Sequence, residues 1–176
     1  MAVEWGTVLA SGTFSAGIAG GFALAGQRWQ RRHEREEAMR ARLIGALDDF
    51  LAATGDANGA LTWSLNRLII DERSDGADED AERASGLIQL AMAKRLRVEL
   101  LLGPDSEASM EAARMTTGLL ALEQKNREAI SHLGHRNGVD RRVEADAANA
   151  TWAELAASRH RFLNASRAAL RAPLEG

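Results

Sequence analysis

The stretch "SAGIAGGFALAG", Ser15–Gly26, admits two readings that lead to different folds. Ala16-Gly17-Ile18-Ala19-Gly20 has the look of the end of a dinucleotide fingerprint, in which glycines let a backbone approach a pyrophosphate. The same residues also suit a helix lying in lipid, and the flanks decide between the two. From Trp5 to Gly26 no residue is charged. A helix of about 22 residues rises roughly 33 Å, enough for a hydrocarbon core of about 30 Å. Trp5 and Trp29 bracket the segment, as suits an indole whose ring is apolar and whose N–H seeks water or a headgroup. Arg28, Arg31, Arg32 and Arg35 follow it, whereas Glu4 precedes it. The positive-inside rule then places the N-terminus outside the cell membrane and the rest of the chain in the cytoplasm.

A dinucleotide site requires a strand before the glycines, a helix after them, and an acidic residue about 20 positions on. "TVLASGTF" instead puts Ser11, Gly12 and Thr13 where a buried strand is apolar, and Ser15 occupies the place of the first fingerprint glycine. No alternation of strands and helices follows. A soluble flavin or nicotinamide enzyme, or a metal-dependent helical one, is therefore the alternative from another class, not the main reading. Ala23-Leu24-Ala25 fits a small-x-small cleavage site, but a signal peptide carries its positive charge before the apolar region, and here the charge comes after it. An uncleaved anchor is expected. At about 100° per residue, Phe14, Ile18 and Phe22 share one helix face while Gly12, Ala16 and Gly20 share the opposite one. Small residues at every fourth position let two helices approach closely in lipid, which makes Gly12, Ala16 and Gly20 the candidate packing stripe for self-association or for another membrane protein.

The whole chain has 176 residues, a net charge of −3 and no cysteine. That length holds one ordinary domain or a small domain with an appendage. The charge gives no global sign of nucleic-acid binding. Lack of cysteine removes disulfides, thiolate nucleophiles and cysteine-ligated metal sites.

Beyond Gln27 the chain reads as helix. Leu43, Leu47, Phe50, Thr54, Ala57, Leu61, Ser64 and Leu68 follow a three-four spacing, with Ile44, Leu51 and Leu65 beside them, an apolar stripe on a long helix. Gly55 and Gly59 each cost up to about 1 kcal/mol relative to alanine, so a kink or break is expected there. "DERSDGADEDAE", Asp71–Glu82, reads as a solvated acidic loop, its spacing unlike that of a calcium loop. A helix to Leu102 should stop at Gly103 and restart after Pro104, with Asp105 or Ser106 as its cap. This next helix runs to about Leu133, and a last one, carrying Trp152, Leu155, Phe162 and Leu170, runs from near Asp140 to Pro173. Trp63, Trp152 and Phe162 are expected to fill the core or a groove.

The pattern predicts an all-α protein: an N-terminal tail and transmembrane anchor over 1–26, an antiparallel cytoplasmic bundle of three or four long helices over 27–172, and a short tail over 173–176. His132, His135 and His160 could be imagined around a metal, yet the first two bracket a glycine turn, and Glu128 precedes His132 by four positions and not the three of helical di-iron sites. No metal, cofactor or catalytic residue is assigned. Neither a phosphate-binding loop nor a nucleophile elbow occurs. Arg159, Arg161, Arg167 and Arg171 on the last helix are candidate contacts for nucleic acid or an acidic partner, and they also suit a helix C-terminus.

The uncharged "WGTVLASGTFSAGIAGGFALAG", the exit "QRWQRRHERE", the junction "ELLLGPDSEASMEAA" and the closing "RFLNASRAAL" are together similar in layout to small actinobacterial single-pass membrane proteins. These include membrane proteins of conjugative plasmids that help spread plasmid DNA through mycelium. The resemblance implies a non-enzymatic, self-associating membrane scaffold, with an accessory role in plasmid DNA transfer as the second reading. It carries over no catalytic residue.

Overall fold

The computed structural model describes residues 6–69, 76–132 and 138–172, apart from the side chains of 6–28, 69, 138–142 and 144. Four helices follow one another: α1 Gly6–Ile69, α2 Ala77–Leu102, α3 Glu107–Ser131 and α4 Gly138–Arg171. The described residues contain no strand, so the protein is all-α. Met1–Arg42 and Leu43–Gly176 form two compact units.

In the second unit each helix buries residues at alternating three- and four-residue steps, the spacing that keeps one seam facing a neighbour. On α3 these are Ala108, Ala112, Met115, Leu119, Leu122, Asn126 and Ala129. On α1 all eight residues of the expected stripe, Leu43 to Leu68, are buried, and so is Leu65. Ile44, beside the stripe, is exposed. On α2 the seam is mostly alanine, with Ile88 and Val98 as its larger members. Small side chains there let α2 lie close to its neighbours.

Contacts along the seams give the direction of each helix. Asp49 near the start of this part of α1 meets Lys94 late in α2, while Arg67 near the end of α1 meets Asp80 early in α2. Glu111 pairs with Arg161, and Gly118 lies against Leu155, so α3 and α4 also run antiparallel. Phe50 of α1 packs edge-to-face on Phe162 of α4, ring centroids 5.1 Å apart. Leu43–Ile69, α2, α3 and α4 therefore make an up-down-up-down four-helix bundle.

Local chemistry sets the helix ends. α2 stops at Gly103, whose φ of 83° and ψ of 151° lie in a region nearly reserved for glycine. Ser106, not Asp105, caps α3: its Oγ accepts from the Ser109 backbone N–H at 3.2 Å.

Two expectations about the chain path change. α1 runs unbroken through Gly55 and Gly59, because the buried turn of Phe50, Ala53, Thr54, Ala57 and Leu61 ties both sides of the glycines to the same core and outweighs their backbone cost. The acidic stretch is not loop throughout. Residues 71–75 lie outside the described residues, and α2 already begins at Ala77, with Asp78, Glu79 and Asp80 in its first turn, where carboxylates complement the helix dipole. Asp80 is further held by Arg67 Nη1 at 2.8 Å.

The Asp49 carboxylate accepts a hydrogen bond from Lys94 Nζ at 2.9 Å, and Arg97 Nη1 lies 3.4 Å away. The Lys94 hydrogen bond and its charge hold the Asp49 carboxyl below its ordinary value of 3.8. A depressed carboxyl stabilises the fold above its unfolded pKa, and that contribution disappears as pH falls through the lower, folded value. Asp49→Asn is therefore expected to flatten the acid limb of a stability–pH curve below about pH 4. Urea unfolding at a series of pH values measures the change.

In the first unit, Trp29–Arg42 is exposed throughout except at Glu36. Pairs at i and i+4 run along it: Gln30 with Glu34, Arg32 with Glu36 and His33 with Glu37. Trp29 stacks on His33, ring centroids 5.5 Å apart. A helix polar on all sides relies on such pairs. Among the described residues no helix is long and apolar enough to cross a membrane; the side chains of the expected anchor, through Gly26, lie outside them.

Candidate functional site

Gly55 lines two grooves of the bundle. On one side, α1 and α2 enclose a groove of about 650 Å³ lined by Gly55, Asp56, Gly59, Ala60 and Trp63 of α1 and by Asp80, Arg83 and Leu87 of α2. Gly55, Gly59 and Trp63 follow one another at four-residue intervals, so they share a face. A Cβ added at either glycine would meet nothing within 4 Å, which leaves the backbone bare to an approaching surface. Trp63 is 66% exposed at the end of this strip. Trp63 is thus a groove residue and not a core one, because the α1 seam turns Ser64 and Leu65 inward and leaves their neighbour on the outside. Exposed indole beside bare backbone, with charges at the rim, is the chemistry of a protein-binding patch.

On the other side, α1 and α4, with Met115 of α3, line a groove of about 570 Å³. Trp152 is half-buried there, and Phe162 is fully buried in the core.

The residues singled out from the sequence separate into groups. Gly12, Ala16, Gly20 and Arg28 belong to α1, but their side-chain surroundings lie outside the described residues, and Trp5 lies outside them altogether. Trp29, Arg31, Arg32 and Arg35 are all exposed, with Arg32 paired to Glu36. The four arginines of α4 do not act as a set. Arg159, Arg167 and Arg171 are exposed, whereas Arg161 is half-buried and held by partners on α3 and α4. Its Nε donates to Glu111 at 3.1 Å, and its Nη2 donates to Glu154 at 3.1 Å and to Ser158 at 2.8 Å. These carboxylates, Glu111 first, raise the Arg161 guanidinium pKa above its ordinary value. Arg161 is a structural residue joining α3 to α4. Among the described residues no group of three or more histidines and acids could hold a metal ion; His160 is exposed, and His135 lies outside those residues.

Two polar features of the interior carry no sequence signal of their own. Glu111 is buried, with its carboxylate between Arg161 and Arg114. Asn126 is fully buried and accepts from Ser64 Oγ at 2.9 Å. Both occupy seam positions that an apolar residue would also fit, and only the partner helix explains them.

No protein-family model, curated protein or solved structure matches this chain.

Proposed function

We propose that the protein is a non-enzymatic, membrane-anchored interaction protein whose cytoplasmic four-helix bundle binds a second copy of itself. The observation that carries the binding half is the open α1 face: Trp63, 66% exposed, beside Gly55 and Gly59 with no side chain within 4 Å. Removing an indole from water onto a facing helix is a strong driving force, and tryptophan is the residue type most enriched in interface hot spots. The anchoring half rests on the uncharged Trp5–Gly26 segment, its flanking tryptophans and the arginines after it. Gly12, Ala16 and Gly20 form the packing stripe of that anchor. Engagement of Arg161 by Glu111, Glu154 and Ser158 takes one member from the set on which a nucleic-acid contact would draw.

One preparation of membranes tests both halves. The full chain is expected to stay in the membrane fraction through alkaline extraction, and a chain starting at Gln27 to leave it. Crosslinking in those membranes is expected to trap a dimer that Trp63→Ala weakens at least about ten-fold, as for a hot-spot tryptophan. A full chain released by alkali overturns the anchor. A Trp63→Ala chain that crosslinks like its parent overturns the face.

A further inference from the structure

The α1/α4 groove has a composition different from that of the α1/α2 face. Met115, Leu163 and the Trp152 ring give it an apolar lining, and Arg159 stands among the lining residues on α4. Arg159 is exposed and makes no ion pair or hydrogen bond among the described residues, whereas Arg161, two positions on, is fully engaged.

Two buried polar atoms of lining residues also have no partner: Asn58 Oδ1 on α1 and Trp152 Nε1 on α4. An unpaired buried donor or acceptor carries a cost that a native protein ordinarily avoids. The Phe50–Phe162 contact sets the antiparallel register of α1 and α4, and counting forward along α1 and back along α4 brings Asn58 opposite residues 153–155, within a turn of Trp152. The two orphan atoms therefore belong to the same end of the groove. Arg159 lies two turns further along α4 and lines the same groove. A free cation and an unsatisfied indole N–H therefore share one groove, with apolar surface beside them.

We propose that this groove binds a small apolar carboxylic acid. Its carboxylate would be held by Arg159 and the Trp152 N–H, and its hydrocarbon part would lie along Met115 and Leu163. A volume of about 570 Å³ is ordinary for a small-molecule site.

The test uses the full chain, labelled with 5-fluorotryptophan, in lipid nanodiscs, with octanoate as the probe and fluorine NMR as the readout. The chain has four tryptophans, and Trp152→Phe assigns the line in question. Octanoate is expected to shift the Trp152 line saturably and leave the Trp63 line in place. Arg159→Gln should weaken the effect about ten-fold or more, as for loss of a charge-assisted hydrogen bond, and Ala156→Leu, which fills the groove from an exposed position, should abolish it. An unchanged Trp63 line in each variant shows that the bundle is intact. The proposal is overturned if the Trp152 line stays still up to the solubility limit of octanoate, if Arg159→Gln binds as its parent does, or if neutral octanol is bound as tightly as octanoate.

Discussion

Truncating Phe162 to alanine is expected to lower the unfolding free energy by about 3–5 kcal/mol. Phe162 is fully buried and meets Phe50 edge-to-face, with an angle of 61° between the rings. Its removal takes away the transfer free energy of a whole ring, leaves a cavity that surrounding helices fill only in part, and deprives Phe50 of its aromatic partner. This contact ties α1 to α4, the helices at the two ends of the bundle's sequence. Urea unfolding of the full chain and the variant measures the loss, and Leu100→Ala serves as the comparison. A side chain 86% exposed leaves no cavity, so that variant should fall within about 0.5 kcal/mol of the parent. A Phe162→Ala loss below about 1 kcal/mol would mean that α4 does not close the core as described.

The second large effect is expected at the buried Ser64–Asn126 pair. Ser64 is 1% exposed and Asn126 is fully buried. The serine hydroxyl supplies the hydrogen bond to Asn126 Oδ1, and Asn126 Nδ2 already lacks a partner. Ser64→Ala leaves both ends of the buried amide unpaired, at a cost of about 1–3 kcal/mol. Replacing Asn126 by leucine in the same chain removes the stranded amide. The double variant Ser64→Ala/Asn126→Leu is then expected to be more stable than Ser64→Ala alone and close to the parent. A double-mutant cycle by urea unfolding reads the coupling directly. Additive losses would show that the two side chains do not act on each other. The pair joins α1 to α3, helices that run parallel, and a polar contact at one height fixes their relative register in a seam otherwise made of interchangeable apolar residues.

Periodicity alone was enough to read the helical class, the eight-residue stripe of α1, the stop at Gly103 and the restart beyond Pro104. Each depends on residues a few positions apart: an apolar step that matches the helical turn, a glycine free to take φ of 83°, a serine hydroxyl within reach of a backbone N–H three residues on. Such signals are local, and a linear sequence contains them whole. The uninterrupted course of α1 through Gly55 and Gly59 is not local. A propensity cost of about 1 kcal/mol per glycine argues for a break, and only the shared core of Phe50, Ala57 and Leu61 outweighs it.

The same division separates the candidate sites. That Trp63 and Trp152 are large aromatics on helices is plain from the sequence, but which one faces water is decided by how the α1 and α4 seams rotate against their neighbours. Four arginines on one helix look alike in the sequence. The fold gives Arg161 to Glu111, Glu154 and Ser158 and leaves Arg159 beside an apolar groove. Buried polar groups follow the same rule, since Glu111 and Asn126 are stable in the interior only because a partner side chain from another helix reaches them. The sequence by itself determined where the helices are and which faces are apolar, because both depend on neighbours along the chain. Tertiary structure alone decided which polar and aromatic side chains are engaged and which remain open, because their partners lie on other helices.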